Sequence, residues 1–252
     1  MKKITFLLFT LSSSLFISLC SAQTGTWALT KTPAPQWGNG QMLVLTDGTV
    51  ICHNYAGGGY GRGWSRLTPD STGSYANGTW STIANMHDDR ADFASQVLPS
   101  GKVWVAGGEY GVGDTTSEVY DPVSDTWTYC GAIPTGWAFV DAPSELLYNG
   151  DIIAAPYMGS NPTYNTLLWS PVTNSYTIGP NTFYHHQETT WLKLPDSTVL
   201  FIGLSTTRSS RYVPQTNSWI NDDTLPVYVD KLSEEGQASM LPNGNAIFFG
   251  AG

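Results

Sequence analysis

The strongest constraint on this chain is an internal repeat. A turn of the form Leu-x-x-Gly, followed by an apolar run, recurs five times. The copies are Leu45-Thr46-Asp47-Gly48, Leu98-Pro99-Ser100-Gly101, Leu147-Tyr148-Asn149-Gly150, Leu194-Pro195-Asp196-Ser197 and Leu241-Pro242-Asn243-Gly244. Their last positions are 53, 49, 47 and 47 residues apart. Asp-Gly and Asn-Gly accept the positive φ angles that tight hairpin turns demand. The flanks, such as Phe93 to Leu98 and Lys102 to Ala106, suit paired strands.

A second signal runs in phase with the first. Tyr120-Asp121-Pro122 leads to Trp127, Trp169-Ser170-Pro171 to Tyr176, and Tyr212-Val213-Pro214 to Trp219. An earlier copy, from Pro69 to Trp80, carries a six-residue insertion. Each reads as an aromatic-bearing strand, a turn, and a last strand whose Trp or Tyr packs between neighbouring sheets. Glycine is abundant, with 26 residues, while charged residues are only 12 % of the chain. That composition suits short strands and tight turns, and no segment keeps a helical period.

Four strands per period of about 47 residues is the signature of a β-propeller blade. The pattern resembles the kelch repeat and the central domain of galactose oxidase, over essentially all of residues 24–252. Its clearest copy runs from Arg90 through Ala106-Gly107-Gly108-Glu109 to Trp127. The expected fold is therefore all-β: four complete four-stranded antiparallel blades and the start of a fifth. Thr24 to Leu29 reads as an outermost strand without the rest of its blade. Rings of the resembled kind usually have six or seven blades, so residues 23–252 read as the front part of a longer ring.

Residues 1–22 read as a signal peptide. Lys2 and Lys3 precede the apolar stretch Ile4 to Leu19, and Cys20-Ser21-Ala22 offers a cleavage site. Ser12, Ser13 and Ser14 interrupt the apolar run, which argues against a membrane span. The expected location is secreted, periplasmic or at the cell surface. Without Lys2 and Lys3, nine basic residues face 20 acidic ones, a net charge of -11. Such a chain repels phosphate backbones, which excludes nucleic acid as the expected partner. Cys52 and Cys130 remain, read as unpaired buried thiols in preference to a disulfide.

The repeat register points to one column of residues. In copper enzymes resembling galactose oxidase, a Tyr-His pair at the start of an innermost strand binds the metal, nine residues before the turn position. Here that column reads Asn39, Asp92, Asp141, Glu188 and Glu235. Four of the five are acidic, in a chain with 20 acidic residues among 252. A carboxylate ring at the axial mouth suits Ca²⁺ or another hard cation. It also suits sugar hydroxyls or general acid–base chemistry. The plainer alternative is that each carboxylate accepts backbone N–H groups and pins one blade to the next.

Copper is disfavoured. The pair in the copper register is Gln187-Glu188, and Tyr184-His185-His186 lies three residues too early. Neither Tyr129-Cys130 nor Cys52 near Tyr55 supplies a Tyr–Cys cross-link convincingly. His185 and His186, if neighbours on a strand, would point to opposite faces and cannot easily share an ion, so a loop His pair at the mouth is the preferred reading. Trp137, in the loop before Asp141, suits either a stacked sugar or core packing. Arg90 suits pairing with Asp88, Asp89 or the ring, or a place in a solvated loop. Gly57 to Gly63 reads as a long loop between the second and third strands.

The expected function is binding of an extracellular ligand, carbohydrate or a surface protein, at the axial face. A galactose oxidase-like or carbohydrate-active enzyme, and a scaffold propeller, are the alternatives.

Overall fold

The computed structural model describes residues 26–35, 39–56, 59–157, 164–229 and 234–250. The signal-peptide reading of residues 1–22 falls outside them. Among the described residues there is no helix, and so none long and apolar enough to cross a membrane. Strands account for all the regular structure.

The first blade comprises β1 (Asn39–Val44), β2 (Val50–Ala56), β3 (Tyr60–Thr68) and β4 (Thr79–Ile83), each antiparallel to the next. A short strand β5 (Arg90–Ala91) then crosses to the second blade. That blade comprises β6 (Ala94–Val97), β7 (Val103–Ala106), β9 (Ser117–Asp121) and β10 (Thr126–Tyr129). Strand β8 (Tyr110–Gly111), within its β7–β9 loop, pairs with β5. The third blade is β11 (Ser144–Leu146), β12 (Ile152–Ala154), β13 (Leu167–Ser170) and β14 (Ser175–Ile178). The fourth is β15 (Trp191–Lys193), β16 (Val199–Ile202), β17 (Arg208–Val213) and β18 (Ser218–Thr224). A hairpin of β19 (Glu235–Met240) and β20 (Ala246–Gly250) opens a fifth unit, and the sheets do not close on one another.

The repeated turns make these hairpins for a local reason. At the first, the Gly48 N–H donates to Leu45 O at 3.0 Å with φ at 81°. Asp47 Oδ1 accepts from both the Thr49 N–H and its hydroxyl, at 2.9 and 2.7 Å. Ser197 takes the same left-handed turn position at φ 70°, with Asp196 bonded to Thr198 in the same way.

Stacking of blades explains why β7, β12 and β16 are apolar at every position. Val103 and Val105 of β7 enter one core cluster with Ile51 and Trp64 of the first blade. Trp104 and Ala106 point the other way, into a cluster with Ile152 and Trp169 of the third. A strand covered on both faces loses the polar alternation of a one-sided sheet. The outer-strand aromatics seal the junctions: Trp127 packs on Trp64 of the first blade at 5.7 Å between ring centroids, and Trp219 joins the core cluster with Leu147 and Ile153 of the third. Trp127 Nε1 donates to Ala84 O at 2.9 Å, and Asp125 Oδ1 accepts the Ala84 N–H at the same distance. Asn174 repeats this clasp on the Gly131 N–H at 3.0 Å.

Two local expectations change, and one about the cysteines holds. Residues 26–29 form no strand; Trp27 and Leu29 are almost fully exposed and pair with no strand among the described residues. An apolar pattern becomes a strand only when a ladder partner accepts its backbone bonds. Most of Gly57 to Gly63 is not loop: β3 begins at Tyr60, Gly61 pairs with Arg90, and Gly63 pairs with Asn54. Cys52 and Cys130 are unpaired, and burial pushes their thiols up to about 11 and about 12.

Candidate functional site

The innermost strands and the loops entering them converge on one acidic cavity of about 340 Å³. Asp92, Asp141, Glu188 and Glu235 all line it, so four members of the sequence column meet. Asn39 opens β1 opposite Asn54, and its side chain lies outside the described residues. Two further carboxylates, Glu109 and Glu234, join the lining, which among the described residues carries no Lys, Arg or His. The cavity is continuous with a polar channel walled by Gln41, Ser95, Ser144, Glu145 and Gln237, sharing Phe93, Thr189 and Thr190 with it.

The column is aimed inward by an unusual backbone state. Asp92, Asp141 and Glu188 hold φ at 50°, 45° and 59°, in the left-handed region that side-chain-bearing residues rarely occupy. The kink before each inner strand turns the side chain into the cavity and frees the peptide groups for the neighbouring blade. The Glu188 N–H donates to Asp141 O at 3.1 Å, and the Glu235 N–H to Glu188 O at 2.9 Å. Backbone therefore does most of the blade-to-blade pinning. Column side chains add to it, as where Glu235 Oε2 accepts the Thr190 N–H at 3.0 Å.

Glu109 arrives from the second blade. Gly107, at φ 75°, abuts the loop leading to Asp141 so closely that a Cβ there would lie 2.0 Å from Phe139 O. The Gly108 N–H donates to that same oxygen at 2.8 Å, and the Glu109 N–H donates to Ala91 O at 3.0 Å. Oxygens of Asp92, Glu109 and Asp141 thereby lie within 4.8 Å of one another. Burial, then the charges of Glu109, Glu188, Asp92 and Glu234, push Asp141 up to about 7. Like charges without a cation leave one of them best protonated. Tyr110 hydrogen-bonds Glu109, which raises the phenol above its usual range. Tyr55 hydrogen-bonds Asp92; its phenol is raised by burial first and by that carboxylate next.

The remaining sequence candidates lie elsewhere. Arg90 is not in a solvated loop: it is fully buried, turned into the second blade. Its guanidinium pairs with Glu118 at 3.0 Å and donates to Gly107 O and Thr116 O at 2.8 and 3.0 Å. Glu118 also accepts from the His87 backbone and ring, at 2.9 and 2.6 Å. Trp137 is partly buried against the second core cluster. His186 is buried, with Nε2 at 2.9 Å from Asn165 O and its ring edge-on to Trp191. Burial lowers its imidazole to about 4, so it is neutral near pH 7. His185 and His186 sit in a loop with rings side by side, 6.4 Å apart, so strand alternation does not govern them.

An all-oxygen lining fits a hard cation and does not fit a copper radical centre, which needs imidazole and a Tyr–Cys pair. Tyr55 reaches the lining through Asp92, but neither candidate cysteine does. Tyr129 stacks on His87, Cys130 packs against the second core cluster, and Cys52 Sγ donates to His53 O at 3.6 Å.

Antiparallel four-stranded sheets in series, with phased turn and aromatic repeats, are consistent with the blades of a kelch-like propeller. No protein-family model matches the chain. A stretch of 58 residues, 22 % of the chain, is 43 % identical to an F-box/kelch-repeat protein of Arabidopsis thaliana, covering 15 % of that protein. This similarity supports the kelch-type repeat.

Proposed function

We propose that this propeller is an extracellular ligand-binding module whose site is the acidic axial cavity, with carbohydrate as its ligand class. The observation that supports it is the convergence of Asp92, Asp141, Glu188 and Glu235, from four successive units, with Glu109 and Glu234 on one open cavity. Carboxylate oxygens accept paired hydroxyls, and the protonated form of Asp141 donates in return. The close oxygens of Asp92, Glu109 and Asp141 favour a second reading, a hard cation such as Ca²⁺, bound alone or bridging to the sugar.

Calorimetric titration with CaCl₂ and with neutral oligosaccharides, on the wild type and on Asp92→Asn/Asp141→Asn, tests both readings. Binding should be lost in the double variant while its melting temperature stays within a few degrees. Unchanged binding, or a large loss of stability with no ligand effect, assigns these carboxylates to the scaffold.

A further inference from the structure

The axial cavity and the channel beneath it differ in chemistry. Asp92, Glu109 and Asp141 bring oxygens within 4.8 Å of one another, while Glu188, Glu234 and Glu235 line the same cavity outside that group. Carboxylates are thus spread along a cavity of about 340 Å³ instead of converging on one point. A hard metal ion gathers about six to eight oxygens round a single centre. A spread set suits a larger cation whose charge sits on a molecular frame. The channel is walled mainly by amides and hydroxyls, those of Gln41, Ser95, Gln96, Ser144 and Gln237 among them. Its Glu145 faces Lys193 at 3.8 Å. Gln41 Oε1 and Ser95 Oγ are withdrawn from water and have no hydrogen-bond partner among the described residues. Buried polar atoms call for a partner, and a sugar hydroxyl both donates and accepts.

We propose that the axial site selects an amine-bearing sugar, a pyranose carrying a free ammonium, over neutral sugars. This preference rests on the carbohydrate reading above and narrows it. At the mouth the ammonium donates to the oxygens of Asp92, Glu109 and Asp141, in charge-assisted bonds stronger than those a neutral hydroxyl makes. Hydroxyls of the same frame then meet the amides and hydroxyls of the channel, Gln41 and Ser95 first. A neutral sugar strips water from the same carboxylates without supplying the opposite charge, which costs binding energy. The chain as a whole, at net charge -9, draws cations towards it.

The test is calorimetric titration with three disaccharides of one frame: cellobiose, its amino analogue built from glucosamine, and the N-acetylated form of that analogue. They differ only in carrying hydroxyl, ammonium or acetamide at the same ring position. At low salt the amino disaccharide should bind the wild type about tenfold more tightly than either neutral one. That advantage should shrink as salt rises, and Asp92→Asn/Asp141→Asn should erase it. Equal affinity for all three overturns the amine preference and leaves the carbohydrate reading standing, whereas binding by none overturns both. A preference that survives in the double variant overturns its placement at the acidic mouth. Putrescine, a diamine without a ring, is the last arm: affinity equal to that of the amino disaccharide overturns the sugar frame.

Discussion

Glu118 and Asp141 are two carboxylates withdrawn from water in opposite ways. Glu118 is fully buried and completely matched, by Arg90, by the His87 ring and by the His87 and Asp88 backbone N–H groups. Asp141 is half-buried, and the charges that act on it are those of Glu109, Glu188, Asp92 and Glu234. The first arrangement locks a crossing between blades; the second stores unmatched charge at an open mouth. Loss of water alone distinguishes neither scaffold from site. The sign of the neighbours does.

Glu118→Gln attacks the matched member and has the largest expected effect. It leaves the buried Arg90 with only Asp88, at 3.6 Å, as counter-charge, a loss of about 3 kcal/mol, or about 10 °C in melting temperature. Thermal unfolding followed by circular dichroism measures it, and a shift of only a degree or two would break the comparison. His186 is an intermediate case, buried and held by Asn165, with Nδ1 unpartnered among the described residues. Its folded pKa lies below its unfolded one, so the unfolded chain binds more protons and stability falls as pH drops from 6.5 towards 4. His186→Gln should remove a few degrees of that acid sensitivity, measured as the difference in melting temperature across the window. Asp141 behaves oppositely: its folded pKa is raised, so the native chain keeps the proton longer and stability falls as pH rises from about 4 to about 7. Solvent screens this half-exposed group, so the slope is small. Asp141→Asn should flatten it and leave stability at pH 8 equal or slightly higher; a loss there would place Asp141 with Glu118.

The blades were legible because their turn chemistry is local: Asp47-Gly48 and Asn149-Gly150 carry their own reason to fold. The same register located Asp92, Asp141, Glu188 and Glu235 on one axial mouth, because innermost strands begin at a fixed offset from those turns. Glu109 and Glu234 were missed for the complementary reason. They lie in connections off that register, and Glu109 is brought in by the close approach of Gly107 and Gly108 to Phe139, a tertiary contact without a local period. Its one sequence signal was the end of the Ala-Gly-Gly-Glu run. Arg90 was ambiguous because the acidic residues beside it in sequence resemble a solvated loop, whereas its main partner, Glu118, lies 28 positions away. Thr24 to Leu29 has the apolar content of an outer strand, but content cannot supply a ladder.

The left-handed backbone at Asp92, Asp141 and Glu188 also bears on how such a chain diversifies. Glycine and asparagine occupy that conformation more readily than aspartate or glutamate do. Replacements that erase or dilute the cavity's charge therefore pass through residues the kink already welcomes. The blades carry their own turns, clasps and cores, so the mouth can drift from one chemical preference to another while the blades beneath it go on being inherited.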